Sequence, residues 1–202
     1  MLHLDTHTQN IVNKAFKMYG FIMRTGIYFN RVATYLNLYK SLVRSQLEYA
    51  VCIWNPHYNK YVKRIETVQK KFLRTMHYKC TGSYLPYDQL LEKYSILDLQ
   101  SRRKQLEAML LFDLCHNKYD CIPLTRKLCY KIPVRSHVRN NQTHKLFATI
   151  KCRTNSGERS PLWRMTHSYN ACFGNIDIFS TRVGSFKKLV MDYLKKNITI
   201  LD

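Results

Sequence analysis

The sequence predicts a mainly α protein: a multi-helix bundle, then an irregular basic segment with room for a short β-hairpin, then a C-terminal helix. Three observations carry this. Apolar residues recur at three- and four-residue steps through most of the first 120 residues. Only six Gly and five Pro are available to interrupt them. The periodicity lapses after Asp120 and returns at Arg182. With 202 residues and 46% hydrophobic content, the chain is long and apolar enough to bury a core without staples. That composition excludes a disordered chain. The pattern divides the protein into a helical domain, 1–120, and a basic C-terminal tail domain with a terminal helix, 121–202.

The spacing of Ile11, Val12, Ala15, Phe16, Tyr19, Ile22 and Met23 predicts a helix over 9–25. Gly26 and Asn30 bound a turn. A second helix is expected over 32–53 on the stripe Val32, Tyr35, Leu36, Tyr39, Leu42, Val43, Leu47 and Ala50, stopped by Asn55-Pro56. Arg44 and Glu48 sit at i,i+4 on it. A third spans 59–78. Pro86-Tyr87-Asp88 opens a short fourth helix to about Tyr94, and a fifth covers 98–117 with Asp98 as N-cap. Pro123, Pro133, Asn140-Asn141 and Asn155-Ser156-Gly157 break any long helix in the tail. A hairpin pairing 132–138 with 146–152 is the expectation there. The last helix, 182–197, offers Val183, Phe186, Leu189, Val190 and Tyr193 to a core.

Charge narrows the function. Thirty-three Lys plus Arg against 13 Asp plus Glu give a net charge of +20. Such a surface repels its own copies and attracts polyanions, nucleic acid first among them. The excess concentrates on the third helix. At 100° per residue, Tyr61, Val62, Ile65, Val68, Gln69, Phe72 and Met76 fall on one side. Lys60, Lys63, Arg64, Lys70, Lys71 and Arg74 fall on the other, with Glu66 alone to offset them. Alternating signs, the mark of a purely solvated face, are missing. Six cations along ~20 Å of axis suit successive phosphates. Trp54, Tyr58 and Tyr61 lie near enough in sequence to stack on bases. Arg102, Arg103 and Lys104 stand in the first turns of the fifth helix, a placement that favours an external anion. From Cys121 to Gly157 there is no carboxylate, and Arg135 and Arg139 are among eight cations.

Other classes are disfavoured. Seven irregularly spaced cysteines include no Cys-x-x-Cys pair, so neither a disulfide framework nor a zinc site is expected around Cys115, His116, Cys121 and Cys129. No cofactor or metal is implied. Paired carboxylates, phosphate-binding glycine loops and nucleophile elbows are all missing, so catalysis by this chain alone is not expected. No apolar run reaches the length of a membrane span, and the first ten residues lack a secretory pattern. The expected location is the nucleus or cytoplasm, with no membrane partner.

Two blocks resemble a known family. Leu38-Tyr39-Lys40-Ser41-Leu42-Val43-Arg44-Ser45-Gln46-Leu47-Glu48-Tyr49-Ala50, followed by Ile53-Trp54-Asn55-Pro56, is similar to the segment after the palm in jockey-like non-LTR (LINE-type) retrotransposon reverse transcriptases. Ile65-Glu66-Thr67-Val68-Gln69-Lys70-Lys71-Phe72-Leu73-Arg74 resembles the same family's IExVQxxFLR stretch. Lys14-Ala15 with Gly20-Phe21-Ile22-Met23-Arg24 resembles its lead-in. The resemblance implies a helical thumb and C-terminal tail that grip a template–primer duplex of RNA, DNA or hybrid, and a palm-containing polypeptide as a possible partner. The family's Tyr-x-Asp-Asp polymerase motif has no counterpart here, so RNA-directed DNA polymerase activity does not carry over. The alternative reading is a non-functional or protein-interaction fragment of a decayed mobile element.

Overall fold

The computed structural model describes residues 4–29, 31–131, 145–149 and 151–198. The fold is mainly α, with no strand among the described residues. It forms two compact units, Met1–Arg103 and Lys104–Asp202. Composition set the division at 120, where a stretch without carboxylates begins; packing divides the chain earlier, inside a helix.

In the first unit, α1 (Leu4–Thr25) starts earlier than the apolar spacing suggested. It buries Thr8, Val12, Ala15 and Ile22. A 3-10 turn, Gly26–Tyr28, follows. Its glycine is required by close approach: a Cβ on Gly26 would lie 2.9 Å from the Tyr35 ring, whose hydroxyl donates to the Gly26 carbonyl.

The expected helix over 32–53 is not continuous. It runs as α2 (Val32–Leu38), a π-helical stretch (Tyr39–Arg44) and α3 (Ser45–Glu48), then breaks. Ala50 adopts a left-handed conformation with φ of 50°, and a one-turn α4 (Val51–Trp54) follows. Even with the break, Tyr35, Tyr39, Val43 and Leu47 stay on one buried stripe.

Helix α5 (Asn59–Thr81) is the unit's central rod. Ile65, Val68, Phe72, Leu73 and Met76 are fully buried. It runs parallel to α1: Arg64 meets Asp5, Tyr19 meets Thr75, and the Lys79 ammonium donates to the Met23 carbonyl. Gly82, in the left-handed region at φ 71°, caps α5 and turns the chain toward α6 (Tyr87–Lys93). Asp98 caps α7 (Leu99–Cys115) as expected, accepting from the Ser101 amide at 2.9 Å.

The second unit comprises the rest of α7, α8 (Ile122–Thr125), α9 (Asn155–Glu158), α10 (Pro161–Ser168), a π-helical stretch (Tyr169–Phe173) and α11 (Val183–Ile198). Leu111, Phe112 and Leu114 of α7 are buried, as are Met165, Tyr169, Phe173 and Phe186, whereas α8 and α9 bury no residue. Phe186, Val190 and Leu194 form the buried stripe of α11, whereas Val183, Leu189 and Tyr193 are exposed. Phe112 packs on Phe186 at 4.7 Å between centroids. Arg164 donates twice to Glu107 Oε1, at 2.8 and 3.1 Å, which pairs an otherwise costly buried carboxylate. Of the expected hairpin, 132–138 lies outside the described residues; one antiparallel bridge joins Tyr130 to Phe147. The Asn170 side chain closes the backbone of Phe147, accepting from its amide and donating to its carbonyl.

Candidate nucleic-acid interface

The cationic stripe of α5 faces outward. Lys60, Lys63, Lys70, Lys71 and Arg74 are exposed. Arg64 is half-buried and pairs with Asp5 at 3.3 Å, an exposed contact. Three lysines rest their charge over aromatic rings of the same unit: Lys60 over Tyr61 at 5.8 Å, Lys70 over Tyr87 at 5.0 Å, Lys71 over Phe16 at 5.2 Å. Such contacts contribute about 0.5–1 kcal/mol at exposed sites and orient the ammonium groups.

Glu66, the one carboxylate in the run, does not neutralise this face. Its carboxylate points inward and accepts from the Tyr87 hydroxyl and from the Leu99 amide at 3.1 and 3.3 Å. A negative group there meets the positive end of α7. Burial raises the Glu66 pKa, partly opposed by the Tyr87 hydrogen bond. Burial first, then Glu66, raises the Tyr87 phenol far beyond its usual range, so it stays a donor. Gln69, fully buried, completes the network: its amide donates to the Tyr87 oxygen at 2.9 Å and the Leu97 carbonyl at 3.0 Å, and accepts from the Tyr39 hydroxyl. This polar core fixes the rotation of α5, and so the direction of its stripe.

Several expected site residues lie elsewhere. Arg102 is held by Glu48, Nε to Oε1 at 2.8 Å, and Arg103 is buried at 3% exposure. Arg102 is half-buried and Arg103 buried where the start of α7 packs within the first unit; Lys104 is exposed. Arg135 and Arg139 lie outside the described residues. Trp54 is a core residue, 8% exposed, donating its indole N–H to the Tyr49 carbonyl. Tyr58 is exposed and packs edge-on against Tyr61. Among the described residues no three His, Cys, Asp or Glu groups converge as a metal site would require.

The stripe also has an end that the sequence reading missed. Tyr78, four residues after Arg74 and so on the same face, stacks on Tyr84 with centroids 4.6 Å apart and planes 21° apart. Tyr84 is 77% exposed. The helical arithmetic that placed Arg74 also places Tyr78; Tyr84 is brought back by the turn at Gly82, which no periodicity reveals. Beneath that turn His77 is buried, with Nδ1 2.6 Å from the Tyr94 hydroxyl and Nε2 within 3.3 Å of the Thr81 and Ser83 hydroxyls. Both ring nitrogens of His77 are thus occupied by hydroxyl groups of the turn and of Tyr94.

An uncharacterised protein of Caenorhabditis elegans is 26% identical to this chain over 102 residues, which is 50% of this chain and 51% of that protein. The aligned stretch therefore spans about half the length of that relative. No family model matches the chain, and no solved structure does. Among the described residues no helix is long and apolar enough to cross a membrane.

Proposed function

We propose that the first unit binds nucleic-acid backbone without sequence preference, through the outward stripe of α5. The single observation that carries this reading is the direction of Glu66. With that carboxylate committed to the interior, Lys60, Lys63, Lys70, Lys71 and Arg74 form an exposed cationic line with Arg64 beside it. Holding like charges together in this way costs stability, and a polyanion removes that cost. The resemblance of 38–74 to the segment after a reverse transcriptase palm supports the same reading: a thumb and tail that grip template and primer, not an enzyme alone, completed by a palm-containing polypeptide.

The test is reversal of Lys70, Lys71 and Arg74 to Glu. Helical circular dichroism is expected to remain, because all three side chains are exposed, while affinity for RNA or DNA falls. For about six phosphates, log affinity falls with log salt at a slope near −4 for single strands and −5 for duplex. A flat salt dependence in the parent protein overturns the reading.

A second reading, a surface for a protein partner, is favoured by exposed apolar side chains at two breaks in the helices. Ile27 and Tyr28 are 70% and 89% exposed, and Tyr49 and Ile53 are 80% and 65% exposed. Gel filtration separates the two: a monomer that shifts only with nucleic acid favours the first, oligomers indifferent to it the second.

A further inference from the structure

We infer that the stacked pair Tyr78–Tyr84 is a platform for an unpaired base, so that the stripe of α5 prefers single-stranded nucleic acid, or a strand end, over continuous duplex. The inference rests on the phosphate-binding reading above and names its ligand more narrowly. Two exposed tyrosines stacked in water at 4.6 Å leave apolar ring area uncovered. One face of Tyr84 is covered by Tyr78, and its high exposure leaves the other open. The pair is held in place: Gly82 takes the left-handed conformation that reverses the chain, and the Thr81 and Ser83 hydroxyls bond each other and the buried His77 ring. Arg74 lies one turn before Tyr78 on the same face, so a strand whose phosphates follow the cations arrives at the rings. Aromatic faces stack any base, which matches a stripe that reads charge and not sequence. Duplex bases are already stacked within the helix and have no face to offer except at an end. The net charge of +20 opposes a second copy of this chain as the occupant.

The experiment is equilibrium binding of the full chain, by fluorescence anisotropy, to a labelled oligothymidylate and, by competition at equal phosphate concentration, to a covalently closed circular duplex, which has no ends. Loss of both rings in Y78A/Y84A is expected to weaken the single strand about tenfold or more, leaving duplex affinity and the salt slope unchanged. Y78F/Y84F, which keeps the ring faces, is expected to bind as the parent does. Equal loss on both ligands, or no loss on either, overturns the platform while leaving the cationic stripe intact. Failure of the stripe itself reads differently: the parent protein then shows no salt dependence, or K70E/K71E/R74E binds unchanged. A parent protein that binds neither ligand overturns both. Self-association without nucleic acid that disappears in Y78A/Y84A assigns the rings to a second copy and overturns the base platform.

Discussion

Gln69 is the residue on which the orientation of α5 depends. Its amide serves Tyr39, Tyr87 and the Leu97 carbonyl in a site closed to water. Gln69→Leu keeps the volume but leaves those partners unsatisfied, and each buried orphan costs about 1–3 kcal/mol. A loss of at least about 2 kcal/mol is expected, read as a lower urea midpoint at an unchanged slope. The sequence placed Gln69 on the buried side by angle alone, yet treated Glu66 as surface charge. The partner that draws Glu66 inward is the amide of Leu99, 33 residues later, and helical periodicity carries no information about contacts at that range. His77 adds a pH dependence. Burial, then nearby Lys93, lowers its pKa below the ordinary imidazole value. The unfolded chain therefore takes up the proton first, and stability falls as pH drops below about 6.5, levelling off below the lowered folded value. Tyr94 and the Thr81 and Ser83 hydroxyls face the ring and are neutral across that window. The parent protein is expected to lose more stability than His77→Gln between neutral and mildly acidic pH; equal losses place the titration elsewhere.

At the scale of elements, the break after α3 shows what pattern reading cannot detect. Every third or fourth residue from Val32 to Ala50 is apolar or small, so periodicity saw one helix. Ala50 instead sits at φ 50°, a conformation that costs a non-glycine residue roughly 1–2 kcal/mol. Val51 and Trp54 stay buried beyond the break; at four and seven residues past Leu47 they continue the apolar spacing, so periodicity gives no sign of it. Ala50→Gly relieves the steric cost and adds some backbone entropy to the unfolded chain, so a net gain of up to about 1 kcal/mol is expected in denaturant titration. A loss would show that the alanine methyl packs. Glu48 joins the same region to the start of α7, pairing with Arg44 at 3.4 Å and Arg102 at 2.8 Å. The i,i+4 half of this cluster was legible from spacing. The Arg102 half was not, and that is why Arg102 looked like a candidate for an external anion.

At the scale of the whole molecule, the carboxylates are few and many are committed. Asp5, Glu48, Glu107 and Asp113 form ion pairs, Glu66 and Asp98 serve the start of α7, and Asp177 bonds Ser180 and the Phe179 amide. With 33 Lys plus Arg against 13 Asp plus Glu, the net charge of +20 cannot be neutralised within the chain. Self-repulsion of that kind is screened within about 10 Å at 0.1 M salt and about 3 Å at 1 M. Two opposite salt effects follow from the one charge distribution. Without nucleic acid, raising sodium chloride is expected to raise the melting temperature, because like charges on the folded chain are screened. With nucleic acid, the same salt is expected to lower affinity, because condensed counterions gain less on release. Calorimetry across a salt series, with and without an oligonucleotide, reads both. A melting temperature that falls with salt in the free protein would mean that attractive pairs outweigh repulsion. The uncompensated line on α5 would then lack the energetic reason for seeking a polyanion that its exposed cations and inward-turned glutamate otherwise provide.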